Sequence, residues 1–121
     1  RVLSIGAGNG DTEVRVAALL RDRGVDGVIM ECMDINPAML ARCKENARQA
    51  DLESVVIPRH GDFNRWKPRE SWDIVLANQA LHHVLELEHL FDSVREAIGE
   101  TGVFLTCDMI GRNGHQRWPE A

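Results

Sequence analysis

The sequence is short of positive charge, of long apolar runs and of paired cysteines. Its 121 residues carry 14 Lys and Arg against 19 Asp and Glu, and this formal net charge of -5 argues against a general attraction to nucleic acid. No apolar run approaches the roughly 20 residues that span a bilayer, and no charged and then apolar leader opens the chain. We therefore expect a cytoplasmic protein without a membrane segment.

Cysteine is scarce and irregularly spaced. Cys32, Cys43 and Cys107 are odd in number and form no CxxC pair, so the sequence indicates neither a disulfide framework nor a metal site. We expect three buried, reduced thiols. The composition, with 44% hydrophobic and 27% charged residues, is that of an ordinary globular domain, and the length suits a single sheet.

Short apolar segments alternate with helical or turn-rich segments, which predicts parallel strands joined by crossover helices. The strands are nearly continuous apolar runs, as burial on both faces requires. An amphipathic helix with apolar residues at three- and four-residue steps is expected over 87–98. The pattern predicts an α/β fold with a doubly wound, Rossmann-like, mostly parallel open sheet. Its strands are expected at 2–5, 28–33, 55–57, 72–76 and 103–107.

Capping residues mark where the other helices begin and end. Asp11 and Thr12 offer an N-cap to the first helix, and Gly24 supplies its stop. Asn36 followed by Pro37 opens the second helix, because proline at the first helical position loses no hydrogen bond. That helix is expected to run to about residue 50.

Three alternating glycines, Gly6, Gly8 and Gly10, follow the first strand directly and precede a helix. Glycine suits a sharp strand-to-helix turn and lets a ligand approach the bare backbone. A dinucleotide fingerprint, GxGxxG, has its third glycine one residue later, so NAD or FAD fits this spacing poorly. The loop predicts a cradle for a nucleotide cofactor, with an ordinary tight turn as the alternative.

Acidic residues follow the second and third strands. The ends of the first two strands lie side by side in an open parallel sheet, so Asp34 should face the glycine loop and accept both ribose hydroxyls. Glu31 is the less favoured alternative for that role. After the third strand, Asp62 and Phe63 place a carboxylate and a flat ring at a position suited to adenine.

Together these motifs resemble the class I S-adenosylmethionine-dependent methyltransferases. VLSIGAGNGD is similar to motif I of that family, except that Ser4 stands where the family usually has Asp or Glu. DINPAML is similar to the second motif, and WDIVLANQALHH to the fourth strand and its loop. The resemblance implies S-adenosylmethionine as the cofactor. It implies the following binding residues: Gly6, Ala7, Gly8, Gly10, Asp34, Ile35, Asp62, Phe63 and Asn78.

The resemblance also implies methyl transfer to a small-molecule acceptor. Enzymes of the family that methylate bases or glutamine usually carry Pro-Pro-aromatic after the Asn78 position, and this chain has Gln79-Ala80-Leu81 instead. A non-catalytic cofactor-binding domain, an RNA or protein methyltransferase and an NAD-dependent oxidoreductase remain alternatives. Because the family fold normally continues at both ends, residues 1–121 are expected to form a partial domain, the cofactor-binding core. The acceptor and the oligomeric state stay open.

No single residue is fixed as a catalytic base. His82, His83 and His115 are candidates, because an imidazole titrates near neutral pH. Adjacent histidines are expected to point in different directions, one packed and one solvated, which disfavours a shared metal ion.

Overall fold

A computed structural model describes residues 1–109, which form one parallel sheet with helices on both faces. The predicted doubly wound α/β architecture is confirmed. The strands of these residues are β1 (Val2–Ile5), β2 (Met30–Asp34), β3 (Val56–His60), β4 (Ile74–Asn78) and β5 (Val103–Cys107). The helices are α1 (Asp11–Asp22), α2 (Pro37–Gln49) and α3 (Leu87–Ile98), with a 3₁₀ turn at Leu81–His83.

The strand order creates a crevice at one edge of the sheet. The order is β3-β2-β1-β4-β5, and neighbouring strands are parallel. The chain moves outward from β1 to β3 and then returns to the other side of β1 for β4. Ligands of open α/β sheets bind beyond the carboxyl ends of the strands at such a reversal. The loop after β1 therefore lies between the ends of β2 and β4.

Two apolar cores stabilise the sheet, one on each face. Successive strand residues point to opposite faces, so Leu3 and Ile5 enter one core while Ser4 faces the other. The first core includes the buried face of α3, and the second lies under α1 and α2. Truncating a fully buried leucine such as Leu90 typically costs about 2 to 5 kcal/mol. These cores hold the strand ends in fixed positions.

The caps of the first two helices differ in kind. Asn36 caps α2 as predicted, since its Oδ1 accepts a hydrogen bond from the amide two residues on at 2.9 Å. The prediction that Asp11 or Thr12 caps α1 is wrong. The N-cap is Gly10, in the left-handed region at φ 73°, and no side chain caps it. Asn9 Oδ1 accepts from the Asp11 amide at 3.2 Å instead, so Asp11 lies inside the first turn.

Strands β2, β3 and β4 each begin and end later than the sequence predicts. Pro58 lies within β3 because this is an edge strand, where a missing backbone donor is tolerated. Trp72 precedes β4, because its amide donates to the Ala97 carbonyl at the end of α3 instead of a neighbouring strand. No helix within residues 1–109 has both the length and the apolar character needed to cross a membrane.

The prediction of three buried thiols holds for Cys32 and Cys43 but is wrong for Cys107. Cys107 is exposed because it ends β5, the other edge strand, where most side chains are exposed. Cys32 and Cys43 face each other in the second core. The pKa of Cys32 is raised by its hydrogen bond with Cys43 and then by burial. The Cys32 thiol therefore stays protonated and unreactive near neutral pH.

Candidate cofactor and acceptor site

The three glycines of the loop have separate roles. Their φ angles are 64° at Gly6, 60° at Gly8 and 73° at Gly10, a region that side chains rarely adopt. A Cβ at Gly6 would lie 2.8 Å from Ala80 Cβ, and one at Gly10 would lie 2.5 Å from Cys43 Sγ. No atom lies within 4 Å of the corresponding point at Gly8. The outer glycines thus permit packing within the protein, and Gly8 leaves open space before the backbone.

Asp34 joins the end of β2 to the glycine loop. Its Oδ2 accepts a hydrogen bond from the Gly8 amide at 2.8 Å, and its Oδ1 accepts from the Asn36 amide at 2.9 Å. Asp34 therefore lies beside the glycine loop, as the sequence predicts. Each carboxylate oxygen has two lone pairs, so each can accept one more hydrogen bond. These free acceptor positions fit a ligand with two adjacent hydroxyl groups, which would donate to them.

Glu31, the alternative to Asp34, belongs to an ion cluster. Its carboxylate accepts from Arg1 at 2.8 Å, from Arg59 at 3.2 Å and from the Trp72 indole. Both guanidinium groups also lie over the Trp72 ring, at 5.0 and 5.5 Å from its centroid. These contacts use the Glu31 oxygens within the protein.

A cavity of about 260 Å³ opens at the strand ends. Four of the predicted binding residues meet there, together with two residues of the segment after β4. The cavity is lined by Gly6, Asp34, Ile35, Phe63, Ala80 and His83. A larger depression of about 410 Å³ lies on the outer surface of α1, but none of the predicted binding residues lines it. The cavity at the strand ends is the candidate site.

The other predicted binding residues are not among those that line the cavity. Asp62 Oδ1 accepts from the Asn64 amide at 2.9 Å, while the Asn78 amide group lies 3.5 Å from the Thr12 hydroxyl. The Ala7 amide donates to the carbonyl of Met33 at 3.1 Å. Their contribution to cofactor binding stays a prediction. His115 lies outside the described residues.

Residues 79–86, here called the arch, carry the two histidines over the cavity. The arch begins at Gln79, whose φ of 54° reverses the chain and whose amide donates to the Cys107 carbonyl at 2.7 Å. It ends where Asn64 Oδ1 accepts from the Leu85 amide at 2.8 Å and from the Glu86 amide at 3.3 Å. The last residue of β5 and the segment after β3 therefore fix the arch at its two ends.

The two histidines of the arch contact each other. Their ring centroids are 4.0 Å apart and the planes are tilted by 47°, so the prediction that they point in different directions is wrong. The prediction that one is packed and the other solvated is confirmed. His82 is half-buried, and its Nδ1 lies 2.7 Å from Asp108 Oδ1. This anchor holds the His82 ring beside that of His83, which is exposed and lines the cavity.

Asp108 is a site residue that the sequence reasoning missed. Burial raises its pKa, but hydrogen bonds from His82 and from the amides of Leu81 and Met109 outweigh that effect and lower the pKa below its ordinary value. Asp108 is therefore an anion at neutral pH. A signal was present, because Asp108 follows β5 directly, as Asp62 follows β3 closely. Ala80 and Asn64 carried no comparable signal.

Comparison with known proteins also indicates a domain of the kind that the site geometry suits. The methyltransferase domain family matches residues 3–104 of the chain. The 27-O-demethylrifamycin SV methyltransferase of Amycolatopsis mediterranei is 29% identical over 111 residues, covering 91% of this chain and 39% of the relative. The trans-aconitate 2-methyltransferase of a Mycobacterium species is 35% identical over 86 residues, covering 71% of this chain and 29% of the relative.

A solved structure has a similar fold. The DhpI-SAM-HEP complex superposes with a TM-score of 0.73 at 26% identity, over 93% of this chain and 48% of that chain. The chain thus spans less than half the length of each of these proteins. The family match covers most of the chain, and the motifs lie at the strand ends in the expected order. The chain therefore belongs to the methyltransferase domain family and is a class I S-adenosylmethionine-dependent methyltransferase domain.

Proposed function

We propose that residues 1–121 are the cofactor-binding core of a longer enzyme that transfers a methyl group from S-adenosylmethionine to a small-molecule acceptor. The observation that carries this proposal is the hydrogen bond between the Gly8 amide and Asp34 beside the cavity at the strand ends. It places an open backbone and a carboxylate side by side. The DhpI complex, which contains SAM on a similar fold, supports the choice of cofactor.

The residues present fit this cofactor. The bare backbone at Gly8 leaves room for the methionine portion, and Asp34 has the acceptor sites that two ribose hydroxyls need. Phe63 offers an apolar ring face in the cavity, and Asp62 beside it offers a carboxylate to the adenine amino group. When bound, the cofactor supplies an electrophilic methyl group on a positively charged sulfur.

The chain's own part in the chemistry is to orient the acceptor, exclude water and accept a proton. Correct positioning of two reactants can contribute about 7 to 11 kcal/mol to lowering a barrier. An acceptor hydroxyl also has to lose its proton, and His83 is the imidazole that lines the cavity. His82, held by Asp108, positions the His83 ring through their contact.

The proposed acceptor class follows from the relatives. One relative is named for a methyl group on a hydroxyl oxygen of a rifamycin, and another for trans-aconitate, a carboxylic acid. A hydroxyl acceptor requires a base, whereas an ionised carboxylate does not. The arrangement of His83 in the cavity favours a hydroxyl acceptor for this protein.

The test is methyl transfer from isotopically labelled S-adenosylmethionine to a metabolite extract, with the full-length protein. We expect labelled small-molecule product with the wild type. Asp34→Ala should weaken cofactor binding in calorimetry, whereas His83→Gln should lower turnover at neutral pH with cofactor affinity unchanged. Asp22→Asn, at the exposed end of α1, is the control and should change neither quantity.

The outcomes separate the alternatives. Cofactor binding without turnover on any acceptor would identify a non-catalytic binding domain. Preference for NAD in a competition titration would identify an oxidoreductase, and labelled RNA or protein would place the acceptor in another class. Full activity of His83→Gln would exclude this residue as the base.

A further inference from the structure

A buried carboxylate lies beneath the glycine loop, beside the position where Ser4 replaces the acid usual in motif I. Glu13, in the first turn of α1, is 2% exposed, and Ser4, on β1, is 1% exposed. The Ser4 hydroxyl donates a hydrogen bond to Glu13 Oε1 over 2.6 Å. The fold thus brings a carboxylate to hydrogen-bond distance from residue 4, although the residue itself is a serine.

The second carboxylate oxygen of Glu13 accepts no hydrogen bond from the described residues. Glu13 Oε2 is buried and has no hydrogen-bond partner among residues 1–109. Asp34, the other carboxylate at the loop, accepts backbone N–H groups on both of its oxygens. Donors of this kind stabilise a carboxylate and offset its charge. Glu13 Oε2 therefore lacks the hydrogen-bond donors that both oxygens of Asp34 have.

The surroundings of Glu13 offset only part of the cost of burying its carboxylate. The positive end of the α1 dipole favours an acid in the first turn. On the same face of the sheet lie Cys32 and Cys43, and the charge of Glu13 adds to the causes that raise the pKa of Cys32. Neither thiol brings a positive charge. A buried carboxylate without such a charge is costly unless a cation is supplied.

We propose that Glu13 is the countercharge for the sulfonium of S-adenosylmethionine, so that the site favours the cofactor over its demethylated product. This inference rests on the proposed function. Cofactor and S-adenosylhomocysteine share the adenosyl and amino acid groups and differ by one methyl group and one positive charge on sulfur. A buried carboxylate acts on that charge through a medium of low dielectric constant, so contact is not required. Methyl transfer removes the positive charge from sulfur, which weakens the attraction to Glu13 and helps the product to leave.

The decisive measurement is the ratio of two dissociation constants, for S-adenosylmethionine and for S-adenosylhomocysteine. Calorimetry on the full-length protein should show that Glu13→Gln weakens cofactor binding by roughly tenfold and leaves product binding nearly unchanged. If Glu13 served only to connect α1 to β1 through its hydrogen bond, Glu13→Gln would change both dissociation constants alike. Asp22→Asn removes the same charge from the exposed end of α1 and should leave the ratio unchanged.

A second variant moves the carboxylate instead of deleting it. In Ser4→Asp with Glu13→Gln, the acid returns to the strand position usual in the family, and the side-chain amide introduced on α1 can donate to it. This double variant should recover the preference for the cofactor that Glu13→Gln loses. If a carboxylate restores the preference for the cofactor from residue 4 as well as from residue 13, a packing effect of Glu13 cannot explain the preference.

Each result has a distinct meaning. An unchanged ratio in folded Glu13→Gln would overturn this inference and leave the proposed function standing, whereas a wild type that binds neither ligand would overturn both. If Glu13→Gln does not fold, Ser4→Ala with Glu13→Leu replaces the buried pair by apolar groups, which is often neutral for stability. That variant should show the same loss of preference, and an unchanged ratio would again refute the role.

Discussion

Alanine at Gly8 tests whether the open backbone of the loop serves a ligand. Gly8 has a φ of 60°, and nothing lies within 4 Å of the point where a Cβ would stand. The substitution therefore meets no clash and costs only the left-handed conformation, about 1 to 2 kcal/mol. The reduced freedom of the unfolded chain offsets about 0.4 to 1 kcal/mol of that. A net loss near 1 kcal/mol lowers the melting temperature by roughly 4 °C.

Gly24 provides a matched control at the far end of α1. Its φ is 73°, and it too has no atom within 4 Å of a built Cβ. Gly24→Ala should therefore show about the same loss of stability as Gly8→Ala. The two variants differ in position, because Gly8 donates to Asp34 beside the cavity and Gly24 follows the end of α1.

The assay is calorimetric titration with S-adenosylmethionine, alongside thermal unfolding without ligand. Gly8→Ala should bind at least about tenfold more weakly, a loss of about 1.4 kcal/mol, because the added methyl group occupies the space in front of the backbone. Gly24→Ala should bind as the wild type does. Equal affinities for Gly8→Ala and the wild type would show that the ligand does not approach this backbone, and the assignment of the loop would be refuted.

Two further predictions concern the residues that hold the arch. Asn64→Ala should destabilise the protein by about 1 kcal/mol and speed hydrogen exchange at the Leu85 amide, because that donor loses its acceptor, whereas Asn64→Asp keeps an acceptor and should restore protection. Asp108→Asn should also cost about 1 kcal/mol at pH 7 in urea unfolding. Since the folded protein lowers the pKa of Asp108 below 3.8, its stabilising effect is present above that pH and is lost as the pH falls further. A difference between wild type and Asp108→Asn that does not shrink as the pH is lowered below 3.8 would contradict this assignment.

Much of the fold could be predicted because its determinants are local. Strand β1 and helix α3 have the predicted bounds, since a short apolar run and a regular apolar face each specify one element. The cap at Asn36 was predictable for the same reason. The cap of α1 was not, because Gly10 takes the N-cap position in the left-handed region and no side chain caps the helix.

The site divides in the same way. The position of Asp34 opposite the glycine loop could be derived, because adjacent parallel strands bring their carboxyl ends together. The contact between His82 and His83 could not, since it depends on Asp108, which lies more than twenty residues away in the chain. Glu13 was likewise hidden, because its helix pattern does not reveal a hydrogen bond to Ser4 on the neighbouring strand.

The sequence by itself determined the order of strands and helices along the chain, the glycine turn and the acids near the ends of β2 and β3, because periodicity and backbone preference act over a few residues. Only the tertiary structure decided which side chains meet there. It placed Asp108 against His82 of the arch and a buried Glu13 beneath the loop. Those pairings depend on the order of strands in the sheet and on packing between distant segments, and no short stretch of the chain specifies either.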